Sequence, residues 1–199
     1  MVESVVAGEQ ALAKLMSGNR RFADGASRHP HQDPDRRRDL NSGQTPFAAV
    51  LTCADSRVPP ELIFDQGLGD LFVVRVAGNI INEQLLGSLE YAAAHLHTPL
   101  IMVLSHSNCG AIGAVAGGAD LEGHITSLAP AIQPAVDKAR SMEGDLTDNA
   151  AREVARMTAA LLTTSEPILA HLVQAGKLVV TAAFYNLDTG TVDLLEPQK

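Results

Sequence analysis

The chain has 199 residues, 46% hydrophobic and 19% charged. This composition argues against disorder, and folding can bury roughly 70% of the surface an extended chain exposes. Lys and Arg number 15 against 23 Asp and Glu, a net charge of −8, and there is no Trp beside 5 Phe and 2 Tyr, which argues against a phosphate-neutralising face or a base-stacking platform. No apolar run approaches the roughly 20 residues of a membrane span. Glu3 and Glu9 stand early, where an export signal has basic and then apolar residues. The sequence therefore predicts a soluble cytoplasmic protein with no membrane or nucleic-acid partner. Its two cysteines, Cys53 and Cys109, then read as free thiols used for chemistry rather than as a staple.

In chain order, Leu12, Leu15, Met16 and Phe22 share one side of a helical pattern over residues 9–22, with Gly18 weakening its end. Residues 24–43, with His29-Pro30-His31 and Arg36-Arg37-Arg38, read as a loop holding one short helical turn. Three short apolar runs follow: Phe47–Leu51, Leu71–Val74 and Leu100–Leu104, the kind expected of strands covered on both faces. Leu85, Leu86, Leu89, Ala92, Ala93 and Leu96 recur at helical spacing between the second and third. Strand, helix, strand is a βαβ unit and implies a parallel sheet.

Further on, Ile125 to Val136 suggests a helix interrupted by Pro130 and Pro134, and a longer one runs from about Asp148 to Thr164. Ser165 reads as a fresh N-cap, with Pro167 near the first helical position and Gly176 closing the last turn. Residues 178–184 and 191–195 flank the turn-rich Asn186–Gly190 and predict a terminal hairpin. No repeat or second boundary is visible, so residues 1–199 are expected to form a single domain, with 1–45 as an N-terminal arm and loop.

Chemistry-bearing residues concentrate at two strand ends. Cys53, Asp55 and Arg57 form C-x-D-x-R after the first strand, and His106 and Cys109 form H-x-x-C after the third. In an open parallel sheet ligands gather outside the carboxyl ends of the strands, so the two segments should converge. Two thiolates and one imidazole are a Cys₂His set for zinc, with the fourth tetrahedral position open to water, to substrate or to Asp55. A structural zinc would need Asp55 as a permanent fourth ligand. Gly110–Gly118 resembles a phosphate loop, but it lacks the G-x-G-x-x-G order and a Walker lysine, and reads better as close helix packing beside a metal.

These motifs, Cys53-Ala-Asp55-Ser56-Arg57, Phe72-Val-Val-Arg75 and His106-Ser-Asn-Cys109-Gly110-Ala111, closely resemble those of the β-class carbonic anhydrases, from about Gly18 to the terminal hairpin. The resemblance implies zinc on Cys53, His106 and Cys109, a catalytic dyad of Asp55 and Arg57, and a backbone N–H of Gly110 near the substrate. It also implies substrate-pocket roles for Gln44, Phe72 and Tyr91, some reaching across a dimer interface. The implied fold is α/β: a central mainly parallel sheet of order 2-1-3-4 plus an edge strand, flanked by helices. An N-terminal helical arm embraces a neighbouring subunit in a homodimer or homotetramer. Ser105 stands where the family commonly has Gly, and Ala77-Gly78-Asn79 where many members have Val-Ala-Asn; a side chain at 105 is expected to crowd or hydrogen-bond the metal's surroundings.

The implied reaction is reversible hydration of carbon dioxide to bicarbonate and a proton through a zinc-bound hydroxide. Two thiolates cancel the charge of the divalent ion, so the rate is expected to rise through the mildly alkaline range. An Arg57 fork keeps Asp55 ionised, a fixed acceptor and a weak base; if the pair breaks, Asp55 is free to close the fourth zinc position. Six further histidines, at 29, 31, 95, 97, 124 and 171, have the chemistry of a proton shuttle without a sequence signal that places them. Two other readings share the motifs: hydrolysis of CS₂ or COS at the same site, and a non-catalytic zinc-binding regulatory protein.

Overall fold

The three apolar runs become strands of one five-stranded sheet, the first and third inside it and the second at an edge, in the computed structural model, which describes the backbone of residues 2–196 and side chains from residue 6 onward. Every residue of β1 (Ala48–Thr52) and of β3 (Leu100–His106) is buried, as strands covered on both faces require. β2 (Leu71–Arg75) lies on one edge, and β4 (Val179–Tyr185) with β5 (Val192–Leu195) forms the terminal hairpin. The order is β2-β1-β3-β4-β5, with only the last pair antiparallel. The α/β class and strand order expected from the sequence are those observed.

Alternation along the strands gives each face its own core. Ala48, Val50, Leu100, Met102 and Leu104 pack with α1 (Val2–Ala23), α5 (Gly110–Ala116) and α6 (Ala129–Ala139). Ala49, Leu51, Ile101 and Val103 pack with α4 (Glu83–Ala94) and α8 (Leu169–Gln174). The 19-residue α7 (Leu146–Thr164) contributes to both cores. Two short helices, α2 (Pro34–Asp39) and α3 (Pro60–Ile63), complete the set, α2 being the turn expected within residues 24–43.

Three local expectations change. The first helix starts at Val2 rather than near residue 9 and runs to Ala23, and Gly18 within it allows close approach, since a Cβ there would lie 1.8 Å from the Phe64 carbonyl oxygen. The helix after Leu128 continues through Pro134, which lies inside it and forgoes the bond to the Pro130 carbonyl without ending it. Ser165 closes α7 instead of opening the next helix, which begins at Leu169. Pro167 disfavours helical backbone at Glu166, so no helix can start across that pair.

α1 is seated on its own chain. Ala11 and Leu15 are buried in the core, and the Asn19 amide donates to the carbonyls of Ile63 (3.2 Å) and Gly190 (2.9 Å) while accepting from Val192 N–H (2.8 Å). One side chain thus ties the first helix to α3 and to the terminal hairpin.

Candidate active site

β1 and β3 are parallel neighbours with Thr52 opposite Leu104, so their carboxyl ends emerge side by side. Cys53 follows one, His106 ends the other, and Cys109 caps α5 three residues on. Their ligand atoms all lie within 4.8 Å of one another, and all three residues are buried. The Sγ atoms of Cys53 and Cys109 are 3.9 Å apart.

This donor set fits a tetrahedral zinc ion. Zinc–sulfur bonds of about 2.3 Å at the tetrahedral angle place two sulfurs about 3.8 Å apart, matching the observed separation. His106 Nδ1 faces the Ser107 carbonyl oxygen at 2.9 Å, an atom that only accepts, so Nδ1 carries the proton and Nε2 keeps its lone pair. Nε2 is buried without a hydrogen-bond partner. An orphaned buried acceptor is costly unless something else binds it, and a cation shared with the two thiols would do so. Between the thiols, hydrogen bonding from Cys109 stabilises the Cys53 thiolate, so Cys53 gives up its proton well below the ordinary thiol range while Cys109 is pushed up. The Gly78 N–H donates to Cys53 Sγ at 3.3 Å and supports that charge.

Asp55 stands beside this cluster, its Oδ2 3.9 Å from His106 Nε2. Arg57 holds it in a fork, Nε to Oδ1 at 2.9 Å and Nη2 to Oδ2 at 2.7 Å, and the Arg57 N–H adds a third bond at 2.9 Å. The guanidinium is the main reason the Asp55 carboxyl is lowered to about 2. Gly110 opens α5, so its N–H belongs to the first turn, which has no intrahelical acceptor. Ser105 points away from His106, as adjacent strand residues do, and its hydroxyl donates to Ala183 O at 3.3 Å. The Ser105 side chain therefore bonds across to β4 and does not hydrogen-bond the metal's surroundings.

Gln44, Phe72 and Tyr91 are not brought to the cluster within the chain. Gln44 is exposed, four residues before β1, and lines an open cavity with Arg37, Leu68 and Gly69 at the amino end of the sheet. Phe72 pairs with Ala49, three positions back from the Arg75–Thr52 pair, which is about 10 Å along the strand. It packs on the α4 side, with Tyr91 at a ring distance of 6.2 Å, and Tyr91 is 48% exposed. The six other histidines are exposed and outside the cluster.

Arg75, the last residue of the Phe72-Val-Val-Arg75 motif, supports the site through the main chain. It ends β2 and donates to the main-chain carbonyls of Cys53 (2.9 Å) and Asp55 (2.5 Å). The available signal was its position, since a cation closing an apolar strand beside buried neighbours must find acceptors.

Comparisons with known proteins agree with this geometry. A family model described as carbonic anhydrase matches residues 48–192. Carbonic anhydrase 2 of Mycobacterium tuberculosis (strain ATCC 25618 / H37Rv) is 39% identical over 184 residues, covering 90% of this chain and 89% of the relative. The carbonic anhydrase of Mycolicibacterium smegmatis is 38% identical over 189 residues, covering 92% and 91%. Among solved structures, the β-carbonic anhydrase CcaA superposes with a TM-score of 0.73 at 28% identity, over 94% of this chain and 99% of that one. A Sordaria macrospora structure, one of two described as tetrameric β-carbonic anhydrases, gives 0.75 at 25% identity over 83% and 88%. The chain belongs to the β-class carbonic anhydrase family.

Proposed function

We propose that the chain catalyses CO₂ + H₂O ⇌ HCO₃⁻ + H⁺, with Cys53, His106 and Cys109 holding zinc. The single observation that carries this reading is the unpartnered Nε2 of His106, buried between two thiols and beside an arginine-held carboxylate. When bound, zinc supplies the Lewis acidity that makes water nucleophilic near neutral pH.

The protein's own groups do the rest. Asp55, kept ionised by Arg57, is too weak a base to strip a proton at neutral pH. It acts as a fixed acceptor, taking one hydrogen bond from the reacting water so that a lone pair faces the carbon. The Gly110 N–H donates to the oxygen on which negative charge develops. Carbon dioxide is apolar and needs apolar walls, whereas bicarbonate needs donors. Gln44 supplies a donor, and Phe72 and Tyr91 supply the walls.

Those three residues reach a site in a homodimer or a homotetramer built from it. β2 is a sheet edge, and two β2 strands set antiparallel about a twofold axis bring the amino end of one sheet against the carboxyl end of the other. Phe72 and Tyr91 then face the partner's cluster. The tetrameric Sordaria relative supports assembly of this kind. The two ligand thiols, 3.9 Å apart, serve only while reduced, which favours a reducing compartment such as the cytoplasm.

Stopped-flow carbon dioxide hydration against pH, with zinc measured on the same sample, tests the proposal. Expected are about one zinc per chain and a rate abolished by Cys53→Ser. A zinc-replete protein without hydration activity, or a fully active Cys53→Ser variant, overturns it.

A further inference from the structure

Asn108 stands between His106 and Cys109, with its backbone at φ +52°. Left-handed backbone is uncommon for an L residue, though Asn adopts it more readily than most. Both of its main-chain polar groups are tied. Its N–H donates to Asp148 Oδ1 at 2.8 Å, and its carbonyl accepts from Arg57 Nη2 at 3.1 Å. The same Nη2 donates to Asp55 Oδ2 at 2.7 Å. A continuous chain of contacts therefore runs from Asp148 through Asn108 and Arg57 to the Asp55 carboxylate.

Each end of this chain is informative. The Arg57 side chain is 50% exposed and that of Asp55 17%. The bidentate fork fixes Arg57 relative to Asp55, but both side chains leave the same short segment, so the bond to the Asn108 carbonyl is what ties the pair to the β3–α5 loop. The direction of that carbonyl depends in turn on what holds the Asn108 backbone. Asp148 lies in the first turn of α7, where the helix dipole favours a carboxylate, and its own N–H is capped by Asp145 at 2.8 Å. α7 packs along β3 and β4, so this anchor is rigid. No motif in the sequence singles out Asp148, which is 40 residues from Asn108.

We propose that Asp148 is a positioning residue for carbon dioxide hydration: through the Asn108 backbone it aims Arg57, and through Arg57 it aims Asp55. The inference rests on the function proposed above. It differs from a merely structural tie between α7 and the β3–α5 loop in one respect, since its effect must vanish when Arg57 is absent. An Asn at 148 still offers an acceptor oxygen to the Asn108 N–H, whereas an Ala does not.

The experiment uses the zinc-loaded full chain. D148A is expected to lower kcat/KM about fivefold to tenfold, the effect of one ordinary hydrogen bond lost, and D148N to restore it to within about twofold. In an R57Q background, D148A should cost nothing further. The crystal structure of D148A should show the Arg57 guanidinium withdrawn from the Asn108 carbonyl, a readout independent of turnover. If D148A does not fold, D148S takes its place, its hydroxyl stopping short of Asn108. A parental rate in D148A overturns the proposal, as does an equal loss with and without Arg57, or an unmoved Arg57 side chain. Absence of hydration in the parent would instead sink the proposed function, while the position of Arg57 in D148A would still decide the role of Asp148.

Discussion

Arg75 holds Cys53 from the neighbouring strand, its Nε donating to the Cys53 carbonyl at 2.9 Å at the point where β1 has ended. Its Nη2 reaches on to the carbonyl of Asp55, so one guanidinium fixes the main chain on both sides of Ala54. A ligand and the dyad carboxylate thereby share one support. Arg75→Ala should destabilise the fold by about 1–3 kcal/mol, through two part-buried carbonyls left without their donor, and should lower kcat/KM more than tenfold. Arg75→Lys should recover less than half of the stability loss, because a single ammonium cannot serve both carbonyls with a planar fork. Thermal unfolding together with stopped-flow hydration checks both effects.

The Asp55–Arg57 pair gives a pH signature in the metal-free protein. The folded carboxyl is lowered to about 2 from the ordinary 3.8, chiefly by the Arg57 hydrogen bonds. A lowered folded value means that the stabilisation is fully present above about pH 4 and is lost as pH falls through about 2. Arg57→Gln should move the Asp55 titration back towards the ordinary carboxylate range. Carbon-detected NMR of the side-chain carboxyl reads this directly, and an unchanged titration in Arg57→Gln would contradict the assignment of cause.

Metal removal should cost stability as well as activity. Binding to the folded state alone stabilises by about 2.7 kcal/mol at a free metal concentration of a hundred times Kd, and the buried His106 Nε2 has no protein partner. Chelation should therefore lower Tm by several degrees, and added zinc should restore it. In the stripped protein, one thiol of the pair should alkylate at a pH below that of an ordinary cysteine, because hydrogen bonding from Cys109 stabilises the Cys53 thiolate. Alkylation of Cys53 at the same low pH in Cys109→Ala would count against that coupling.

Asn19 offers a test of the fold separate from the chemistry. Its side chain is 3% exposed and satisfies two carbonyls and one N–H on α3 and the terminal hairpin. Asn19→Ala leaves three main-chain groups unpaired and should cost about 2–4 kcal/mol in denaturant unfolding. At temperatures where it stays folded, kcat/KM should change less than twofold, since no site residue touches Asn19.

By itself the sequence determined the inner strands and the donor set. Phe47–Leu51 and Leu100–Leu104 read as doubly covered strands because continuous burial leaves an unbroken apolar run. Cys53, His106 and Cys109 were legible because few side chains ligate zinc and because parallel strands deliver their carboxyl ends to one place.

Tertiary structure alone decided what holds those residues in position. In the sequence Gly18 shows only its low helix propensity; the fold puts the Phe64 carbonyl where its Cβ would be. Arg75 carried only the signal of its position at the end of an apolar strand and Asp148 none, because each acts by donating to or accepting from main-chain groups far away in sequence. Gln44, Phe72 and Tyr91 lie away from the cluster in the single chain, and reaching a site is a matter of how two sheet edges meet. Apolar periodicity records whether a side chain is covered, and composition records what chemistry it offers. Neither records which partner faces it, because backbone hydrogen-bond partners are chosen by the packing of whole elements rather than by the identity of the residues that supply them.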